Sequence, residues 1–124
     1  MRTKARNTYN GFPRRVYCAT IKEYVYFNAE GFHHLSYDGL GHRRTIAETV
    51  HKLLLVPHIP AVLKAAKEVR HKRLRENGIG KIQKATEYWG ISAQIQGIRI
   101  KVVLKRTGAG RVIFWSIMRM KSDK

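Results

Sequence analysis

Acidic side chains are scarce: eight Asp and Glu stand against 25 Lys and Arg, leaving this 124-residue chain at +17. A charge of that size repels itself across a compact fold unless something anionic takes it up. Cysteine is almost absent. The single Cys18 excludes an internal disulfide and a multi-cysteine zinc site. Between Val16 and Ala19 it reads as a buried strand thiol rather than a nucleophile. Long apolar runs are missing too, the uninterrupted ones being as short as Leu53–Val56. That is far below the roughly 20 residues a helix needs to span a bilayer. The basic segment Met1–Asn10 has no apolar stretch behind it and does not read as a secretory signal. A soluble, cytoplasmic protein without a membrane partner is expected.

The cationic excess runs from Arg2 to Lys121 and alternates with apolar residues, as in Ile98-Arg99-Ile100-Lys101-Val102. With 44% apolar residues, the chain is expected to fold as one domain carrying a basic surface. Phosphate backbone is the partner class that such a surface suits best, because each neutralised phosphate releases counterions.

Residues 1–13 are polar and basic and contain Asn10-Gly11 and Pro13, which suggests a flexible arm ahead of a domain spanning 14–124. Val16–Ile21 and Tyr24–Phe27 are aromatic and branched, as in short strands. Asn28 can cap a helical turn carrying Phe32, His33, His34 and Leu35, and a Gly-rich loop with Asp38, Gly39 and Gly41 follows. Thr45-Ile46-Ala47-Glu48 has the spacing of a capping box, and Ile46, Val50, Leu53 and Leu54 recur as one helix face. Pro57 should end that helix. Pro60 should open a second one, with Leu63, Ala66 and Val69 inward and Lys64, Lys67, Arg70, Lys72 and Arg73 outward, closed by Asn77-Gly78.

From Ala85 the period becomes two. Trp89, Ile91, Ala93 and Ile95 alternate with small or polar residues, Gln96-Gly97 makes a turn, and Ile98, Ile100, Val102 and Leu104 share the next strand's apolar face. A turn at 107–110 and a strand Val112–Met118 complete an α+β layout, with N-terminal strands and two helices on a C-terminal antiparallel sheet.

Chemistry is constrained by what fails. His33, His34, His42 and His51 lack zinc-motif spacing, with Asp38 the carboxylate in the loop between them, so no metal or other cofactor is expected. Ser36, Ser92 and Ser116 have no nucleophile-elbow context, and Gly108-Ala109-Gly110 has no Lys-Ser/Thr after it to make a P-loop. The row Arg99, Lys101, Lys105 on one strand is either a solvated face or a phosphate track with about 7 Å between successive positions. Histidine with Lys and Arg matches RNA cleavage by internal transphosphorylation: one group takes the 2′-hydroxyl proton, another protonates the leaving oxygen, and cations hold the phosphorane.

Two sets of motifs carry a resemblance. The first is the run Tyr26-Phe27-Asn28-Ala29-Glu30-Gly31-Phe32-His33-His34-Leu35. The second is Tyr88-Trp89, then Ile100-Lys101-Val102-Val103-Leu104-Lys105, then Phe114-Trp115-Ser116-Ile117-Met118. Their order over 24–118 resembles the small phage and mobile-element nucleases of the barnase–EndoU–colicin–RelE group. The resemblance implies two helices on a curved antiparallel sheet and a toxin-like, metal-independent endoribonuclease. It implies His34, Arg44, Lys101 and Ser116 as catalytic residues, with Arg43 as an alternative to Arg44 in the loosely aligned loop. Arg43, Arg99, Lys105, Arg106, Lys64 and Lys67 would contact nucleic acid. RNA is then the substrate and an acidic antitoxin or immunity protein the expected inhibitor. The competing classes are a non-catalytic RNA- or DNA-binding module and a basic structural protein, both of which charge and size also fit.

Overall fold

The computed structural model describes residues 2–37, 42–75 and 85–120. Its centre is a six-stranded sheet built from β1 (Arg15–Cys18), β2 (Glu23–Tyr26), β3 (Glu68–Arg75), β4 (Ala85–Ile95), β5 (Ile98–Thr107) and β6 (Val112–Arg119). The order across the sheet is β1-β2-β6-β5-β4-β3. All pairs are antiparallel except β2 with β6, which run parallel through Val25↔Val112 and Tyr26↔Ile113. The helices are α1 (Arg2–Asn10), α2 (Ala29–His33), α3 (Ile46–Leu55) and α4 (Ile59–Ala65), with a 3-10 turn at Val56–His58 between the last two. The class is therefore α+β, as the patterning indicated, but the two N-terminal strands join the C-terminal meander in one mixed sheet.

The core follows from strand alternation. Val16, Cys18, Val25, Ile91, Ile100, Val102, Leu104 and Phe114 are buried on one sheet face. Val56, Ile59, Val62 and Leu63 from the helical run fill the space above them. Helix α4 touches β4 and β5 and also β1, although β2 and β6 lie between those strands, so the sheet curls around it. Ile46–Ala65 is long and apolar enough by composition to cross a membrane. In this fold its buried residues belong to the core.

Three expectations are corrected. Residues 2–10 are a helix rather than a loose arm, because Ala5 and Tyr9, four apart, both enter the core. Tyr9 donates to the Asn28 carbonyl at 2.8 Å and packs against Phe12, Phe27, Phe32 and Phe114. The second helix stops at Ala65 instead of running to Asn77-Gly78, which lie outside the described residues. From Glu68 the chain is strand β3, held by pairing with β4 from Glu68↔Ser92 to Arg75↔Ala85, and this tertiary pairing overrides the local helix-forming composition. Finally, of the face expected on α3 (Ile46, Val50, Leu53 and Leu54) only Leu53 is buried. Ile46 and Leu54 are 82% and 58% exposed, while Lys52, Leu53 and Leu55 are buried.

Local signals elsewhere hold. Asn28 accepts from the Gly31 N–H at 3.0 Å and caps α2, and Thr45 accepts from the Glu48 N–H at 3.1 Å and caps α3. The β4–β5 turn has both Gln96 (φ 51°) and Gly97 (φ 79°) in the left-handed region, as a two-residue hairpin of the favoured twist requires.

Candidate active site around His34

Among the described residues, strand β6 is covered by another strand on its β2 side only at Val112 and Ile113. Beyond that point α2 and α3 pack against it, which protects an otherwise open edge. The approach is close: a Cβ on Gly31 would run into the Phe114 carbonyl oxygen and lie 2.9 Å from its ring. Only glycine lets α2 sit this near to β6.

On the β5 side the register shifts. Val103 pairs with Ser116 and Leu104 with Phe114, so Trp115 is the extra residue of a bulge. Bulges re-aim side chains and are frequent beside active sites. Here the bulge brings the Trp115 ring against the His34 imidazole, which stacks on it with centroids 4.4 Å apart. The Lys105 Nζ sits 4.0 Å from the Trp115 ring centroid.

His34 is the C-terminal cap residue of α2. Neither ring nitrogen has a hydrogen-bond partner among the described residues, and both atoms are shielded from solvent. Burial pushes its pKa down to about 4, the charges of Arg44 and Lys52 push the same way, the Trp115 main chain opposes them from outside hydrogen-bond geometry, and Lys105 adds the smallest downward push. The ring is therefore neutral at pH 7, flanked by three cations, with its polar atoms uncommitted. Buried polar groups are nearly always paired, and an unpaired one calls for a functional or ligand-based explanation.

Each cation is placed by the fold. The Arg44 Nε donates to the His34 carbonyl at 3.2 Å, and its N–H donates to the Ser36 carbonyl at 2.8 Å, tying the α2–α3 connection back onto α2. Lys52 is a buried lysine on α3, donating to the Ile117 carbonyl at 2.7 Å and to the Ser116 hydroxyl at 3.3 Å. Burial lowers its pKa to about 8, with Arg44 pushing the same way and Glu48 opposing.

The structure thus brings together His34, Arg44, Ser116 and Lys105, and adds Lys52 and Trp115, which the sequence reading did not single out. Ser116 is buried and accepts from Lys52, so its role here is to hold the lysine. A signal for Lys52 was available: it stands three, four and seven residues before Leu55, Val56 and Ile59, on the buried side of the run.

Lys101 is elsewhere. It lines an open groove with Glu68, Arg70, Gly90 and Arg99, where a Cβ on Gly90 would come within 2.8 Å of its Cε. It stands four positions before Lys105, about 13 Å of strand. Arg99 is ion-paired with Glu68. Arg106 is divided between Glu87 at 2.8 Å and Glu23 at 3.3 Å and lies over Trp89. Arg43, Lys64 and Lys67 are exposed; Arg43 bridges Tyr37 next to Arg44, while Lys64 is on α4 and Lys67 just before β3. The chain matches no protein-family model, no curated protein and no solved structure.

Proposed function

We propose that the protein is a metal-independent endoribonuclease of the barnase–EndoU–colicin–RelE type, with His34 as general base. One observation carries this reading: a neutral imidazole, unpaired at both nitrogens, is stacked on Trp115 and ringed by Arg44, Lys52 and Lys105. A phosphodiester drawn in by those cations brings negative charge to the ring and raises its proton affinity toward the range useful for catalysis. His34 then takes the 2′-hydroxyl proton, the 2′-oxygen attacks phosphorus, and the P–O5′ bond breaks. The products are a 2′,3′-cyclic phosphate and a 5′-hydroxyl. Arg44, Lys52 and Lys105 stabilise the phosphorane charge, and the ammonium of Lys52, softened by burial, is the candidate proton donor to the leaving oxygen. Lys101 becomes a contact further along the backbone. A toxin carried by a mobile element and restrained by an acidic inhibitor suits this chemistry and the +17 charge.

A second reading, an RNA-binding module without catalysis, is favoured by the shielding of both His34 nitrogens from solvent. Incubating the purified protein with total RNA in EDTA, beside His34→Ala, separates the two. Cleavage by the wild type that His34→Ala abolishes supports the nuclease. Intact RNA bound by both proteins supports the binder.

A further inference from the structure

The sheet face opposite the core carries a second feature in β1 and β2. Alternation buries Val16, Cys18 and Val25 and turns Tyr17, Tyr24 and Tyr26 to the other side. Tyr17 and Tyr24 are directly opposite across the strands, 47% and 44% exposed, with rings in edge contact at 5.1 Å. Cations are interleaved with them: the Arg15 guanidinium lies 4.1 Å from the Tyr24 ring centroid and that of Arg111 lies 4.6 Å from the ring of Tyr26.

Register links this patch to the His34 site. Tyr26 pairs with Ile113, and Ile113 pairs with Lys105, whose ammonium covers Trp115. All four share one face. From β1 to β5 the strip crosses three strand spacings, about 14 Å. A solvated hairpin needs no such alternation of exposed rings and guanidinium groups. A single polynucleotide strand does, since each base offers a π-face to stack and each phosphate a charge to neutralise. A duplex keeps its bases stacked on each other and would leave the rings unused.

We propose that the Tyr17–Tyr24–Tyr26 strip is a stacking platform for unpaired nucleotides adjoining the cleaved phosphate, so the substrate is single-stranded RNA. The inference rests on the nuclease reading for its link to cleavage, but its binding half is testable without cleavage. A labelled 2′-O-methyl oligouridine lacks the attacking hydroxyl and stays intact whether or not the protein is a nuclease. Its affinity is compared with that of a 2′-O-methyl duplex of equal length, for wild type, Tyr17→Ser/Tyr24→Ser and Tyr17→Phe/Tyr24→Phe.

The serine variant should lose at least about fivefold in single-strand affinity per ring removed. Its duplex affinity should be unchanged, and the phenylalanine variant should bind like wild type. An unaltered single-strand affinity, as expected if the strip serves a protein partner instead, overturns the proposal. So does an equal loss on both probes. A measurement on the wild type alone guards against a variant that fails to fold: photocross-links from a 5-bromouridine oligomer should fall within 15–26. Cross-links confined to 68–75 and 98–106 overturn the platform as well.

Discussion

The Lys52 ammonium lies 2.7 Å from the Ile117 carbonyl oxygen, on the part of β6 that, among the described residues, is paired with β5 but has no strand on its β2 side. A lysine buried at that edge satisfies a main-chain acceptor and brings a cation beside His34 at once. Replacing it by Met removes the charge but strands the Ile117 carbonyl and the Ser116 hydroxyl. We expect Lys52→Met to lose about 1–3 kcal/mol of stability near neutral pH, read from urea unfolding. The sign with pH is fixed by its pKa, about 8 folded against 10.5 ordinarily. Between those values the unfolded chain holds the extra proton, so wild type should gain stability relative to Lys52→Met as pH rises from 8 to 10.5. No divergence over that window would mean that the lysine is well solvated.

Acid should act through His34 in the opposite range. Its pKa is about 4 folded and 6.5 ordinarily, so the unfolded chain takes up a proton first as pH falls. The stability contribution of the neutral ring is complete above 6.5 and is lost on descending through 4. Comparing wild type with His34→Gln between pH 7 and 4 cancels the carboxylates common to both. Wild type should fall more steeply, and parallel curves would contradict the burial of the ring.

Two glycines should behave differently. Alanine at Gly31 meets the Phe114 main chain, which can yield only by moving α2 off β6, and His34 moves with α2. A loss of about 1–3 kcal/mol is expected, together with a fall in RNA cleavage. Alanine at Gly90 meets only the far end of the Lys101 side chain, which can swing aside. Thermal melts should show Gly90→Ala close to wild type, and equal destabilisation of the two variants would disprove the close α2–β6 approach as the cause.

The parts of this fold with strong local periods were legible in the sequence. The Trp89–Ile95 and Ile98–Leu104 alternation, the Gln96-Gly97 turn and the caps at Asn28 and Thr45 need only neighbouring residues to define them. Strand β3 was not legible, since Glu68–Arg75 is mostly helix-forming Lys, Arg, Leu and Glu and becomes a strand only by pairing with β4. The stripe Ile46, Val50, Leu53 and Leu54 misled in part for a similar reason, since only Leu53 of it is buried. Which face of α3 is buried depends on where β6 lies, and that edge takes Lys52. Of the site, His34 and the basic loop were visible as motifs. The stack on Trp115 depends on a bulge with no local signature in the sequence.

Lys101 and Lys105 should separate binding from turnover. Lys105 covers Trp115 beside His34, whereas Lys101 lies in the Gly90 groove. Lys105→Ala should lower kcat with a smaller change in KM. Lys101→Ala should weaken binding and reduce the log–log salt slope on single-stranded RNA by about 0.7, with kcat nearly unchanged. If Lys101→Ala lowers kcat while affinity holds, the reacting phosphate sits in the groove instead.

The most direct measurement is the chemistry of the cut end. An RNA oligomer is digested in EDTA by wild type and by His34→Ala, beside the same oligomer carrying one 2′-deoxyribose at the preferred site, and the products are weighed by mass spectrometry. We expect a 2′,3′-cyclic phosphate from wild type only, and no cut at the deoxy position. Cleavage at the deoxy position, or undiminished cleavage by His34→Ala, would contradict a transphosphorylation site built around His34.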